Sequence, residues 1–322
     1  MKTLKNLYMK ASKEYNGQKP HYETCLQLVL HCHQKLSTES VFREYGSFSG
    51  HPPVPYSVFE LNGAVSRPVR SDLYIAADQE FGAAHAQTLD ILSTPEHVWT
   101  PQEYDNANKI VYTSIMAFAS CIDLWQRSSR KTPGTFFEVF MAGLLQKTFP
   151  NFIFSKHISL ADILDDAEVV QEPDVVNEGT DSAEHEGKAS VSTDVVMGIP
   201  GQHGGVVIPL KITTRERIVQ PFAHQRILDA AFGEGHYQSL IVCISETQLA
   251  EKTKSVNQVC VPGTIKLFQK HLAHISGLYY CDLPQRYIAE DMTRIINVRS
   301  VGHLFEDIRA IMKALTKPAT TD

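Results

Sequence analysis

Asp194 and Lys211 each lie inside an apolar run, Ser192-Thr-Asp-Val-Val-Met197 and Val206-Val-Ile-Pro-Leu-Lys-Ile212. A Gly/Pro-rich turn over 198–205 joins the runs, so they are expected to pair as antiparallel strands. A charged side chain in an apolar strand is costly alone but tolerable facing its opposite across the pair. Phosphodiester hydrolysis uses such a grouping. A carboxylate holds a divalent cation, and a cationic side chain orients the attacking water or steadies charge on the phosphate. A purely structural Asp–Lys pair beside a hairpin is the other reading of the same residues.

Glu138 adds a second carboxylate. It is the only charged residue in Gly134-Thr-Phe-Phe-Glu-Val-Phe-Met-Ala-Gly-Leu-Leu145. A helix apolar all round is a buried helix, and an ionised carboxylate on it needs a partner such as a metal ion or Lys211. The alternative is a glutamate at a helix end, emerging to solvent. Downstream of the lysine, Lys211-Ile-Thr-Thr-Arg-Glu-Arg217 places Arg215, Glu216 and Arg217 at a helix entry capped by Thr213 or Thr214. Arginine can bind guanine O6 and N7 in a fork and glutamate can accept from cytosine N4, so this trio is able to read G·C pairs. The same pattern is also common on solvated helix faces.

The elements that must position these groups follow from patterning. Helices are expected at 3–15 and 21–36, and the Gly/Pro/Ser-rich stretch 44–72 reads as a long loop. Thr100-Pro-Gln-Glu103 is a capping-box start for a helix to about Gln126. From there the pattern predicts a helix over 134–147 and strands at 152–155, 191–197 and 206–212. A helix to about Phe232 and a strand at 239–244 come next, followed by helix 263–275, strand 277–282 and helices at 285–294 and 301–315. This order predicts an α/β (α+β) fold with a mixed-sheet core over 131–322 and a mostly helical N-terminal lobe over 1–130.

In that order and spacing the chain resembles type II restriction endonucleases of the PD-(D/E)XK nuclease superfamily. The core of that superfamily runs helix (Glu138), strand, strand (Asp194), strand (Lys211), helix, strand. The Lys-x-x-x-Arg-Glu-Arg spacing is similar to the subgroup that cuts CCGG- and CCNGG-type sites. The resemblance implies that Asp194 binds Mg²⁺, Lys211 positions the nucleophilic water, Glu138 assists at the metal, and Arg215, Glu216 and Arg217 contact bases. It covers roughly residues 130–245.

Two departures stand out. The superfamily often carries an acidic residue two before the lysine, where this chain has Pro209. The subgroup moves that carboxylate thirteen or fourteen residues past the lysine, to positions held here by His224 and Gln225. Either one coordinates metal as a neutral ligand, or Glu138 or Glu216 substitutes. Pro173-Asp174 is a literal Pro-Asp, but Asp194 is preferred because its 17-residue separation from Lys211 suits one hairpin.

Composition sets the outer bounds. Net charge is −6, yet residues 162–186 carry ten carboxylates and no Lys or Arg, leaving 30 basic against 26 acidic residues elsewhere. Global charge therefore says nothing against a polyanionic partner, because local potential governs such binding. The acidic stretch 161–189 reads as a surface loop, and a tethered acidic segment of this kind could occupy a DNA channel until substrate displaces it. Six scattered cysteines without paired spacing are expected as reduced thiols. No run reaches the ~20 apolar residues of a membrane helix, and the N-terminus has no secretory pattern. His31 and His33 fall on different sides of a helix, poor geometry for zinc.

The expected protein is thus a cytoplasmic, Mg²⁺-dependent homodimer from a bacterial or archaeal cell. It would cut double-stranded DNA at a short palindromic G·C-containing site, with a DNA methyltransferase as functional partner. The N-terminal lobe would supply dimer contacts or further DNA readout. A repair or junction-resolving nuclease on the same core and a non-catalytic DNA-binding relative are the alternatives.

Overall fold

The computed structural model describes residues 2–48, 54–127, 129, 131–160, 190–250 and 255–316, with backbone only at Ser47, Arg215 and Glu216. The acidic stretch 161–189, Asp174 included, and the side chains of Arg215 and Glu216 lie outside the described residues.

Helices α1 (Lys2–Asn16) and α2 (Tyr22–Glu39) open the chain. Strands β1 (Val41–Phe48), β2 (Val54–Leu61), β3 (Ala64–Val65) and β4 (Val69–Arg70) then form an antiparallel sheet around β2. This corrects the loop expected over 44–72. Among the described residues, Gly46 sits at a register shift within β1, and Asn62 and Gly63 take positive φ of 49° and 77° to turn β2 into β3. The strands themselves carry Val, Tyr and Phe, with Tyr56 and Val58 fully buried.

Helices α3 (Asp78–Leu92), α4 (Pro101–Trp125) and α5 (Thr132–Thr148) follow. The Thr100–Glu103 capping box forms as expected at the start of α4, with Thr100 N donating to Glu103 Oε2 at 2.7 Å. Strands β5 (Ile153–Ser159), β6 (Ser190–Gly198), β7 (Gly205–Ile208) and β8 (Leu210–Lys211) lead to α6 (Val219–Phe232). The chain continues through β9 (Tyr237–Cys243), the hairpin β10 (Thr247–Ala250) and β11 (Ser255–Gln258), and α7 (Pro262–His271). It ends with β12 (Gly277–Tyr280), the single-turn α8 (Glu290–Thr293), β13 (Val298–Ser300) and α9 (Leu304–Leu315). The helix expected over 285–294 is therefore a short 3₁₀ turn at Gln285–Tyr287 plus α8.

The central seven-stranded sheet runs β13-β12-β9-β7-β6-β5, with β8 pairing β9 beyond the end of β7. It is mixed, as the sequence predicts: β5, β6 and β7 are antiparallel neighbours, while β7, β8, β9, β12 and β13 run parallel. Alternate side chains enter cores on opposite faces. Val195, Met197, Val206 and Ile208 join the large core with Phe136, Phe137 and Phe140 of α5 and much of α4. Val196 and Val207 pack with Leu228 of α6, and Ile241 and Leu278 pack with Ile265 of α7. This is the two-residue period of a sheet covered by helices on both sides. The large core also takes in Leu4, Leu28, Phe59 and Phe81, so apolar packing is continuous from the N-terminal helices into the sheet.

All six cysteines are free thiols and five of them are buried, in line with the sequence reading. Among the described residues, no helix is long and apolar enough to cross a membrane.

Candidate active site

The β6–β7 hairpin forms in the register its turn dictates, from Gly198 opposite Gly205 to Val195 opposite Ile208. Gly205 permits the close approach, since a Cβ there would sit 2.1 Å from the Met197 carbonyl oxygen. One step further along, Asp194 lies beside Pro209, and regular pairing stops because proline has no N–H to donate. The expected strand 206–212 splits at this point into β7 and β8.

The break has a chemical consequence. Leu210 N, the first amide past the proline, donates to Asp194 Oδ2 at 2.7 Å. Lys211 Nζ donates to the same oxygen at 2.9 Å. Lys211 is held in turn opposite Cys243 of β9, and Ile244 N, just past that strand, donates to the Lys211 carbonyl at 3.1 Å. Asp194 and Lys211 are only 26% and 16% exposed at their side chains, which makes this a part-buried ion pair rather than a solvated one.

Glu138 projects from α5 into the same cleft. Its Oε1 forms an ion pair with Lys156 Nζ of β5 at 2.8 Å and accepts from the Tyr15 hydroxyl of α1 at 2.9 Å. The Tyr15 hydroxyl also lies 3.3 Å from the Asp194 carbonyl oxygen, so one phenol touches both carboxylate-bearing elements. Burial and then the Glu138 charge push the Tyr15 pKa well above its ordinary value, so the phenol remains a neutral donor. Lys156 Nζ sits 4.2 Å from the centre of the Tyr15 ring, a cation–π contact.

Glu138, Lys156, Asp194 and Lys211 line an open cleft of about 290 Å³ together with Ser192, Thr193, Pro209, Gln220, Pro221 and His224. Burial, followed by the positive charge of Lys211, lowers the His224 pKa below the ordinary imidazole value. At neutral pH this ring is uncharged and has a lone pair available.

The donor chemistry fits a hard divalent cation. The bonds to Asp194 fall on Oδ2 and those to Glu138 on Oε1, so among the described residues Asp194 Oδ1 and Glu138 Oε2 accept no hydrogen bond. No cluster of three His, Cys, Asp or Glu side chains occurs among the described residues. A magnesium-like ion does not require one, because it is commonly bound through one or two carboxylates and completes its shell with water and phosphate oxygens.

The sequence-derived candidates therefore divide. Asp194, Lys211, Glu138 and His224 line one cleft. Gln225 is buried and its amide is engaged elsewhere: it donates to Asp229 Oδ1 at 2.7 Å and to the Tyr237 carbonyl at 2.9 Å, and accepts from Ser239 N at 3.0 Å. It ties α6 to β9 and does not line the cleft. Arg217 is exposed in a 3₁₀ turn, Arg215–Ile218, that leads into α6. The cap expected from Thr213 or Thr214 is not made. The Thr214 N–H donates instead to the buried Glu246 Oε1 at 2.9 Å, and its hydroxyl bonds the same oxygen. His33 bonds Asp78 and the Ile75 carbonyl.

Sequence reasoning missed Lys156 and Tyr15. Lys156 lies one residue beyond the expected end of its strand. Tyr15 reaches Glu138 across 123 positions of sequence.

No model of a known protein family matches the chain, and neither does any curated protein. Among solved structures, the type IIP restriction endonuclease Kpn2I aligns with a TM-score of 0.85 at 42% identity, over 99% of this chain and 100% of that one. The restriction endonuclease PspGI in complex with substrate DNA aligns at a TM-score of 0.38 and 15% identity, over 74% of this chain and 93% of that one, a likeness too slight to carry any argument. Identity at this level over the whole length settles the family: the chain belongs to the type II restriction endonucleases.

Proposed function

We propose that the chain cleaves double-stranded DNA at a short G·C-containing palindrome with Mg²⁺ held by Asp194 and Glu138. The observation that carries this reading is the pair of carboxylate oxygens, Asp194 Oδ1 and Glu138 Oε2, that accept no hydrogen bond among the described residues, on two side chains lining a cleft that also holds Lys211. When bound there, the ion would supply Lewis-acid charge at the phosphate. Lys211, fixed by Asp194 Oδ2, orients the attacking water. The water oxygen bonds to phosphorus and the bond to the leaving ester oxygen breaks. That oxygen departs with the electron pair and is protonated from solvent, while the attacking water loses its proton to solvent. Tyr15, a neutral donor, holds Glu138 Oε1 so that Oε2 stays in the cleft.

Arg215, Glu216 and Arg217 are proposed as base-reading residues, with bidentate arginine contacts to guanine and a glutamate contact to cytosine N4. The turn that carries them begins four residues after Lys211, so readout would stand next to the scissile phosphate. The finer likeness to CCGG- and CCNGG-cutting enzymes rests on that spacing. A palindromic site is matched by a two-fold symmetric protein, so the working form is proposed to be a homodimer, with residues 1–130 supplying dimer contacts or further readout. A DNA methyltransferase is the functional partner, and the cytoplasm is where host DNA would be met.

Incubation of the protein with plasmid or phage DNA tests this. Discrete fragments in Mg²⁺, and none with chelator, support the reading. DNA left intact in Mg²⁺ and Mn²⁺ contradicts it and favours a DNA-binding relative without chemistry, to which Pro209 and His224 in place of acidic residues would then be the clue.

A further inference from the structure

Resting on the proposed metal site, we infer that Lys156 is a second catalytic lysine that contacts the scissile phosphate from the side of the cleft opposite Lys211. Among the described residues, the cleft's fixed charges come from two carboxylates, Glu138 and Asp194, and two lysines, Lys156 and Lys211. These cancel. One divalent ion makes the cleft net positive by two, a balance suited to one phosphodiester and the further negative charge its transition state gathers. Among the described residues no third carboxylate lines the cleft: Pro209 and His224 occupy the positions where one is expected.

Lys156 is built for this task. Its ammonium has three N–H donors. The charge pairs with Glu138 Oε1 at 2.8 Å, and the ring of Tyr15 steadies it at 4.2 Å. The side chain is 38% exposed and lines the same cleft as Lys211, so donors remain for a ligand entering from solvent. Lys211 is differently placed, 16% exposed and tied to Asp194. Lys156 transfers no proton in this scheme. It donates hydrogen bonds to a non-bridging phosphate oxygen, and these strengthen as charge builds there.

The same placement makes Lys156 a repulsive neighbour for the metal ion at Glu138. Its two roles therefore predict opposite signs for two measurements, which a merely structural lysine does not. In Lys156→Met, Mn²⁺ binding to the DNA-free protein, followed by calorimetry, should tighten about fivefold, the scale of a part-exposed ion pair. Single-turnover cleavage at saturating Mn²⁺ should slow roughly 10²-fold. Lys156→Arg should recover part of the rate, and Lys156→Gln serves as the second neutral variant should the methionine form fold poorly. Unchanged or weaker Mn²⁺ binding in the neutral variants overturns the inference, and so does cleavage within twofold of wild type. Asp194→Asn separates this from the parent reading: if that variant binds Mn²⁺ as wild type does, the metal site itself is misplaced.

Discussion

Among the described residues, Asp194 has one oxygen committed and one that accepts no hydrogen bond, and that asymmetry is set by a proline. Pro209 ends the ladder, frees Leu210 N for Oδ2, and brings Lys211 to the same atom. Asp194→Asn should therefore lower single-turnover cleavage by roughly 10²–10³-fold while leaving DNA affinity in the absence of metal unchanged or improved, since a negative charge is removed from a polyanion's path. Filter binding and quenched-flow measurements check the two halves. His224 offers a second test at this scale. Lys211 is one cause of its lowered pKa, so Lys211→Met should raise the His224 titration midpoint, observed by NMR with His224→Gln for assignment. A depressed imidazole pKa means that the unfolded chain binds more protons as pH falls through the ordinary histidine value. His224 thus costs stability on acidification, and His224→Gln should flatten that part of the stability–pH curve.

Elements hold the site through a few close contacts. At Gly302, before α9, a Cβ would lie 1.9 Å from the backbone oxygen of Tyr104 in α4. Gly302→Ala should accordingly cost ~2 kcal/mol or more in chemical denaturation, because backbone cannot swing aside as a side chain can. Between the N-terminal sheet and β12, the buried Asp282 accepts from Arg70 Nη1 at 2.9 Å and from the Tyr56 hydroxyl at 2.7 Å. Burial raises the Asp282 pKa and Arg70 pulls it back down. Arg70→Ala should thus destabilise by about 3 kcal/mol. With Arg70 gone the folded-state pKa rises further above the unfolded value, folding takes up a proton, and stability falls as pH rises. The penalty should therefore be larger at pH 8 than at pH 5, and Arg70→Ala with Asp282→Asn should recover much of it.

Elements also mark what was legible in the sequence. The Asp194–Lys211 hairpin could be read because strand alternation and a Gly/Pro turn are local signals, and Glu138 because a lone charge in an apolar helix is conspicuous. Residues 44–72 could not, since turn-forming residues at strand ends resemble a loop until the strands find partners. Lys156 and Tyr15 escaped because their meaning lies in contacts with a different helix, which no local period encodes. Gln225 was a matter of phase on α6: its neighbour His224 faces the cleft, and Gln225 faces β9.

On the scale of the whole molecule, the mixed sheet with helices on both faces brings α5, β5, β6, β8 and α6 to one cleft, with Tyr15 of α1 bonded to Glu138, so residues from 15 to 224 meet around one site. The proposed two-fold symmetric recognition requires two such clefts facing opposite strands. Sedimentation velocity at micromolar protein should give a dimer, and a monomer that still cuts both strands in one encounter would remove the symmetry argument. The central claim is that Asp194, Lys211 and a divalent ion together cut DNA at a defined sequence. Its most direct test is the single-turnover cleavage of phage DNA by wild type and Lys211→Ala side by side, in Mg²⁺. Wild type should give discrete fragments, and the variant should cut at a rate at least roughly 10²-fold lower. Equal cleavage by the two proteins would contradict the central claim.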